Sequence, residues 1–222
     1  MASKVGVIIV SAGRGKRLAK GDKAIFKLDN QPLFCKALNT FSKIKQIAEI
    51  VLVLRKTNFA LAKKYTKGKN VKIVEGGAKR AESVFKGLLA LSEDTGYVLI
   101  HDGARPFVTK KIILNMIDEL KKHSAVICGL KCPDTLKLVK NGFVKETLDR
   151  VDKYLIQTPQ GFKKGKLVSA YKKLKTKNLT DDSQLLEIMD EKVKIIPGDL
   201  LNFKITYPQD LKLAKIICDE RL

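Results

Sequence analysis

Five short runs of apolar, largely β-branched residues constrain this chain most: VGVIIV (5–10), EIVLVL (49–54), VKIVEG (71–76), YVLIHDG (97–103) and AVICGL (125–130). They are near-continuously apolar rather than alternating. A strand of that kind is covered on both faces, which calls for helices above and below a mostly parallel sheet. The helices stand in the gaps. PLFCKALNTFSKI (32–44) opens on a proline and carries apolar residues at helical spacing. RAESVFKGLLALSE (80–93) puts Val84, Leu88 and Leu91 on one face, and KKIILNMIDELKKH (110–123) follows Thr109, a residue suited to an N-cap. Later segments read as helices at 166–175 and 181–190, a strand KVKIIPG (192–198) and a closing helix at 208–218.

The fold expected is α/β, a Rossmann-like, mostly parallel sheet with helices on both faces. One segment departs from the rhythm. DTLKLVKNGFVKETLDR (134–150) has two extended runs around Asn141-Gly142, the strongest short hairpin signal. A hairpin there leaves the α/β body as a protruding β-arm, at about 131–155, and exposed hairpins often pack on a partner chain. The 222 residues are read as one domain carrying this arm. No run has the length a membrane span needs, and the N-terminus passes directly into a strand pattern without a signal-peptide layout. A cytoplasmic protein is expected.

In such sheets ligands sit beyond the carboxyl ends of the strands. Two segments there carry chemistry. SAGRGKRL (11–18) follows the first strand with small residues and positive charge. Its Gly13-x-Gly15-x-Arg17 pattern is neither a dinucleotide fingerprint nor the Gly-Lys-Ser/Thr phosphate loop. It reads either as a tight turn or as a cradle whose backbone N–H groups approach phosphates, with Arg17 and Lys23 adding charge. HDGARP (101–106) ends the fourth strand, where Asp102 either holds a divalent metal on a phosphate or caps a turn and pairs with Arg105. GGAKRAESV (76–84) is a second close backbone approach, or a turn followed by a cap.

Lys and Arg number 44 against 23 Asp and Glu, a formal charge of +21. A charge of that size raises nucleic-acid binding as a possibility. The excess is lysine, 37 against 7 arginines, spread thinly, and only 6% of residues are aromatic. Base recognition favours arginine forks and stacking rings, so the charge reads as a solvated lysine surface that attracts small anions, with no nucleic acid and no membrane as partner. Cys35, Cys128, Cys132 and Cys218 are scattered and only two histidines exist. Buried free thiols fit this better than a zinc site.

In order along the chain stand SAGRGKR, Lys23, GGAKRAESV, HDGARP, DTLK, LDR, QTPQGF, TDDSQ and NFKIT. Over essentially its whole length the chain thereby resembles the 2-C-methyl-D-erythritol 4-phosphate cytidylyltransferases, nucleotidyltransferases of isoprenoid-precursor synthesis. The departures are small: Ser11 where alanine is common, Ala78 at a variable place, Tyr154 where tryptophan is frequent, and Ser183 where alanine is usual. The resemblance implies that the first loop wraps the triphosphate of CTP, with Arg17 and Lys23 on its phosphates and Lys23 stabilising charge at the α-phosphorus. It implies that Asp102 holds Mg²⁺ or another divalent cation, that Gly103 meets the ribose, and that Gly77, Ser83 and the backbone at Ala12 meet the cytosine. Gly13 and Gly15 belong to the nucleotide loop. Thr135, Arg150, Thr158, Thr180 and Lys204 match positions used for the sugar-phosphate acceptor and nearby phosphates.

The resemblance further implies a homodimer in which the arm of one chain reaches the site of the other. Ribitol 5-phosphate cytidylyltransferases share most of these motifs; ETLDR ahead of YLIQTPQGF looks like the methylerythritol enzymes. A non-catalytic nucleotide- or RNA-binding module, suggested only by the charge, does not account for Lys23, Asp102 and Lys204 standing together in family register.

Overall fold

A computed structural model describes residues 4–13, 15, 26–174 and 179–220 of the chain. The first half runs β1 (Lys4–Val10), β2 (Lys27–Leu28), β3 (Gln31–Pro32), α1 (Leu33–Ser42), β4 (Ile47–Leu54), α2 (Phe59–Thr66), β5 (Val71–Glu75), α3 (Arg80–Ala90), β6 (Thr95–Asp102) and α4 (Lys110–Leu120). The second runs β7 (Ala125–Lys131), β8 (Leu136–Lys140), β9 (Phe143–Leu148), β10 (Tyr154–Lys163), α5 (Lys164–Leu174), α6 (Ser183–Glu187), β11 (Val193–Pro197) and α7 (Pro208–Glu220). All five apolar runs are strands. Thr109 caps α4 as expected: its hydroxyl oxygen accepts from the Ile112 N–H at 3.4 Å.

The main sheet has the order β11-β7-β10-β6-β1-β4-β5. β1 pairs in parallel with β4 on one side and β6 on the other, β4 with β5, and β11 with β7. β10 alone among these seven runs against its neighbours, β6 and β7. The mostly parallel α/β fold expected from the sequence is what forms.

Burial on both faces is why the strands are apolar throughout. Val5, Val7 and Ile9 of β1 join one core with α1 and α4, while Ile8 between them joins a second core with α3, α5 and α6. Each such side chain, fully buried, adds roughly 1.5–3 kcal/mol. A third, smaller cluster seats α7 against Leu28, Leu33, Phe107 and Ile205. Among the described residues no helix is long and apolar enough to cross a membrane. All four cysteines are free and buried, as their scatter suggests.

β8 and β9 pair with each other and with no strand of the main sheet. Asn141 and Gly142 turn the chain at φ +52° and +84°, the left-handed pair that a two-residue hairpin turn needs and that asparagine and glycine tolerate best. Every residue of β9, and all of β8 except Leu136, is exposed.

Candidate active site

β1 supplies strands to both sides of itself, so the chain reverses its order between β1 and β6. Loops leaving opposite ways there open a crevice at the strands' carboxyl ends. A cleft of about 700 Å³ occupies that place. Its lining comes mainly from the ends of four strands: Val10 to Gly13 and Gly15 after β1, Arg55 to Thr57 after β4, Glu75 to Arg80 and Ser83 after β5, and Asp102 to Ala104 after β6, with Leu33 from α1. Lys204 and Thr206 complete it from the segment before α7. A volume of this order suits a nucleotide-sized ligand.

The backbone comes close at the floor. The N–H of Ser11 donates to Val53, that of Gly76 to Leu54 and that of Gly103 to Val10, drawing three loops together. A Cβ on Gly76 would lie 2.4 Å from the Ala12 Cβ, so no larger residue fits that crossing. The Ser83 hydroxyl holds the double-glycine turn, accepting from the Gly77 N–H at 3.0 Å and donating to the Lys79 carbonyl at 3.1 Å. Glu82 accepts from the Ala78 N–H at 2.9 Å.

Asp102 is the electrostatic centre. Its Oδ1 accepts from Arg80 Nε at 3.2 Å and its Oδ2 from Lys204 Nζ at 2.6 Å. Burial alone would push this carboxyl up, but Arg80 and then Lys204 outweigh it and hold the group well below the usual carboxylate range. Asp102 is therefore charged at neutral pH. The reading in which Arg105 pairs with Asp102 does not hold: the Arg105 side chain donates to the carbonyls of Asn202 at 2.7 Å and Ile156 at 3.3 Å.

Behind Asp102 a chain of hydrogen bonds fixes His101. The Asp102 N–H donates to Thr158 Oγ1 at 3.0 Å, leaving that hydroxyl proton for His101 Nδ1 at 3.2 Å. His101 Nε2 then faces the Arg105 carbonyl at 2.9 Å and carries the ring's proton. Burial pushes the imidazole down to about 4, so it is neutral at pH 7. It braces the strand end; it is not placed to exchange protons with a ligand.

Of the residues expected at the site, Ala12, Gly13, Gly15, Gly77, Ser83, Asp102, Gly103 and Lys204 line the one cleft. Arg17 and Lys23 lie outside the described residues. Thr158 is buried beneath Asp102 rather than in the lining. Thr180 is exposed next to α6, its N–H donating to Gln184 Oε1 at 3.2 Å. Thr135 and Arg150 stand at the two feet of the β8–β9 hairpin, where Arg150 donates to the Pro133 carbonyl, and neither lines the cleft of its own chain.

Arg80 lines the cleft and was not singled out in the sequence, although it sits inside the quoted GGAKRAESV. It bridges two carboxylates, Asp102 and the 1%-exposed Asp182, whose Oδ2 accepts from Arg80 Nη1 at 2.7 Å. Its fixed charge next to the double glycine was the available signal.

Among the described residues no three His, Cys, Asp or Glu gather into a metal cage. The buried, charged carboxylate of Asp102 at the cleft suits a hard cation that arrives with phosphate and water oxygens as its other ligands, the habit of Mg²⁺.

A glycine-rich loop, a metal-suited aspartate and a converging lysine at the carboxyl ends of this sheet define an enzyme of the nucleotidyltransferase type. The family profile described as 2-C-methyl-D-erythritol 4-phosphate cytidylyltransferase matches residues 5–220. A curated relative of that name from Clostridium botulinum is 40% identical over 98% of this chain and 99% of its own, and one from Bacillus cytotoxicus is 38% identical over 94% and 95%. The crystal structure of 4-diphosphocytidyl-2C-methyl-D-erythritol synthase from Anaerococcus prevotii superposes with a TM-score of 0.88 at 36% identity, over 98% of this chain and 96% of that one. The Thermus thermophilus 2-C-methyl-D-erythritol 4-phosphate cytidylyltransferase gives 0.83 at 32% identity, over 97% and 99%. The chain belongs to the 2-C-methyl-D-erythritol 4-phosphate cytidylyltransferase family.

Proposed function

We propose that the cleft receives CTP with a divalent cation and that the phosphate of 2-C-methyl-D-erythritol 4-phosphate enters beside it. The reaction is the one for which the family is named, a step of isoprenoid-precursor synthesis. A phosphate oxygen of the acceptor attacks the α-phosphorus of CTP. The bond from that phosphorus to the bridging β-oxygen breaks. The products are 4-diphosphocytidyl-2-C-methyl-D-erythritol and pyrophosphate. The relatives favour this acceptor over ribitol 5-phosphate.

The observation that carries the reading is the charged Asp102, held between Arg80 and Lys204 at a nucleotide-sized cleft. Transfer of this kind asks for positioning and neutralisation of charge rather than a covalent nucleophile. Arg17, Lys23 and Lys204 neutralise the phosphates, and Lys23 acts on charge developing at the α-phosphorus. Gly13, Gly15 and the backbone at Ala12 follow the triphosphate and base. Gly77 and the turn braced by Ser83 meet the cytosine, and Gly103 the ribose. Asp102 would hold Mg²⁺, which when bound shields the phosphate oxygens. Thr158 supports Asp102 from beneath, while Thr180 and the partner's arm, through Thr135 and Arg150, receive the acceptor. The exposed apolar residues of that arm, Phe143 and Val144 among them, suit burial in a homodimer. Four free, buried thiols fit a reducing cytoplasm.

Pyrophosphate release tests the reading. It should require both CTP and 2-C-methyl-D-erythritol 4-phosphate. Far faster turnover of ribitol 5-phosphate would overturn the choice of acceptor.

A further inference from the structure

Arg80 starts α3 and stands between two acidic groups that come from distant parts of the chain. Its Nε meets Asp102 Oδ1 at 3.2 Å, and its Nη1 meets Asp182 Oδ2 at 2.7 Å. A planar guanidinium held at two edges cannot rotate away without losing both contacts. Burial works against its charge, and Asp182 followed by Asp102 outweighs that and raises its proton affinity.

Asp182 is itself tightly fixed. Its Oδ1 accepts from the Tyr171 hydroxyl at 2.6 Å, and its N–H donates to Gln160 Oε1 at 3.1 Å. The Tyr171 ring stacks on Phe85 of α3, with centroids 5.4 Å apart. Gln160, on β10, also donates to Asp181 at 3.1 Å. The segment beginning at Thr180 is thus tied to β10, α5 and α3 through one buried carboxylate.

Lys204 holds the other oxygen of Asp102 differently. It is an ammonium on a flexible stem, and its side chain is 38% exposed. A cation that reaches Oδ2 competes with Lys204, which can turn to a nearby anion; Arg80 is anchored a second time and stays.

We propose that Asp182 is a positioning residue for the nucleotide site: through Arg80 it locks one oxygen of Asp102, leaves the other exchangeable, and couples the Thr180 segment to that carboxylate. The inference rests on the reading of the cleft as a CTP site. It assigns to the second aspartate of TDDSQ the task of keeping Arg80 off the triphosphate and Asp102 in one orientation.

Calorimetric titration of the intact protein with CTP, with and without Mg²⁺, tests it. Asp182→Asn keeps the shape and an acceptor for Tyr171 but removes the charge facing Arg80. Mg²⁺-dependent CTP affinity should fall about tenfold, the scale of one lost charged hydrogen bond. Arg80→Lys, which loses the fork, should cause a similar fall. The double variant should be little worse than either single one, because both break the same bridge. Tyr171→Phe should weaken affinity about threefold and carries the test if Asp182→Asn does not fold. A purely structural role would lower the melting temperature and leave the CTP affinity of the folded variants unchanged; that result overturns the proposal, as does a hundredfold, additive loss in the double variant. Wild-type protein that does not bind CTP would instead overturn the reading of the cleft, and this inference with it.

Discussion

Asp102 and Glu49 are buried carboxylates at opposite ends of one sheet, and their partners give them different work. Asp102, at the carboxyl end of β6, is met by Lys204 and Arg80 and faces a cleft. Glu49, near the start of β4, lines no cleft and is met by four donors. It accepts from the Thr95 hydroxyl at 2.6 Å, the Ser92 N–H at 2.7 Å, the Ser92 hydroxyl at 3.1 Å and Lys72 at 3.0 Å. Burial alone would push the Glu49 carboxyl up, but the Thr95, Lys72 and Ser92 contacts together hold it below its ordinary value of 4.5. The sign follows from linkage. The unfolded chain takes up this proton first as pH falls, so the stabilisation is full above about 4.5 and drains below it. Glu49→Gln should cost about 2 kcal/mol at pH 7, on the scale of charged hydrogen bonds lost in a buried site. Urea unfolding should show the gap between wild type and variant closing toward pH 3.5. A gap that stays constant with pH would contradict this role.

At the scale of elements, the β8–β9 hairpin leaves Phe143 78% and Val144 62% exposed on a ribbon that, among the described residues, pairs with no other strand. An isolated two-stranded ribbon is marginal in water, so a partner surface is expected to cover it. Changing both residues to lysine should convert a dimer to a monomer in sedimentation while the circular dichroism of the α/β body is kept. An unchanged dimer would contradict the arm's role. The hairpin was legible because Asn-Gly between extended runs has few other uses, and the five buried strands because unbroken apolar runs of that length have few alternatives. β10 was not legible as a strand. It contains Pro159 and Gly161, its buried Gln157, Thr158 and Gln160 interrupt any apolar pattern, and its register shifts between Gln157 and Gln160. Proline and polar residues argue against a central strand in sequence; here Gln160 and Thr158 spend their polar groups on Asp182 and Asp102. The motif residues of the cleft could be read one by one. The Arg80–Asp182 bridge could not, because it joins positions 102 apart in sequence, the start of α3 and the residue before α6, which only tertiary packing brings together.

The whole molecule carries +21, and Lys204 and Arg80 line its cleft. Such a field speeds the arrival of anionic substrates, an effect that salt suppresses. The cleft of a single chain holds Lys204 and Asp102, while Thr135 and Arg150 stand at the hairpin's feet outside the lining. The central claim is that two chains build each active site, one giving the nucleotide cleft and the other the arm. Mixing two inactive variants tests it most directly. Lys204→Ala damages the cleft and Arg150→Ala the arm, and each homodimer should release almost no pyrophosphate from CTP and 2-C-methyl-D-erythritol 4-phosphate. Unfolded and refolded together in equal amounts, about half the dimers should be hybrids, and with exchanged arms each hybrid has one site with both lesions and one with none. Activity should return to about a quarter of wild type, by that count of intact sites. Hybrids that form and stay inactive would show that each arm serves its own chain, and would contradict the shared site.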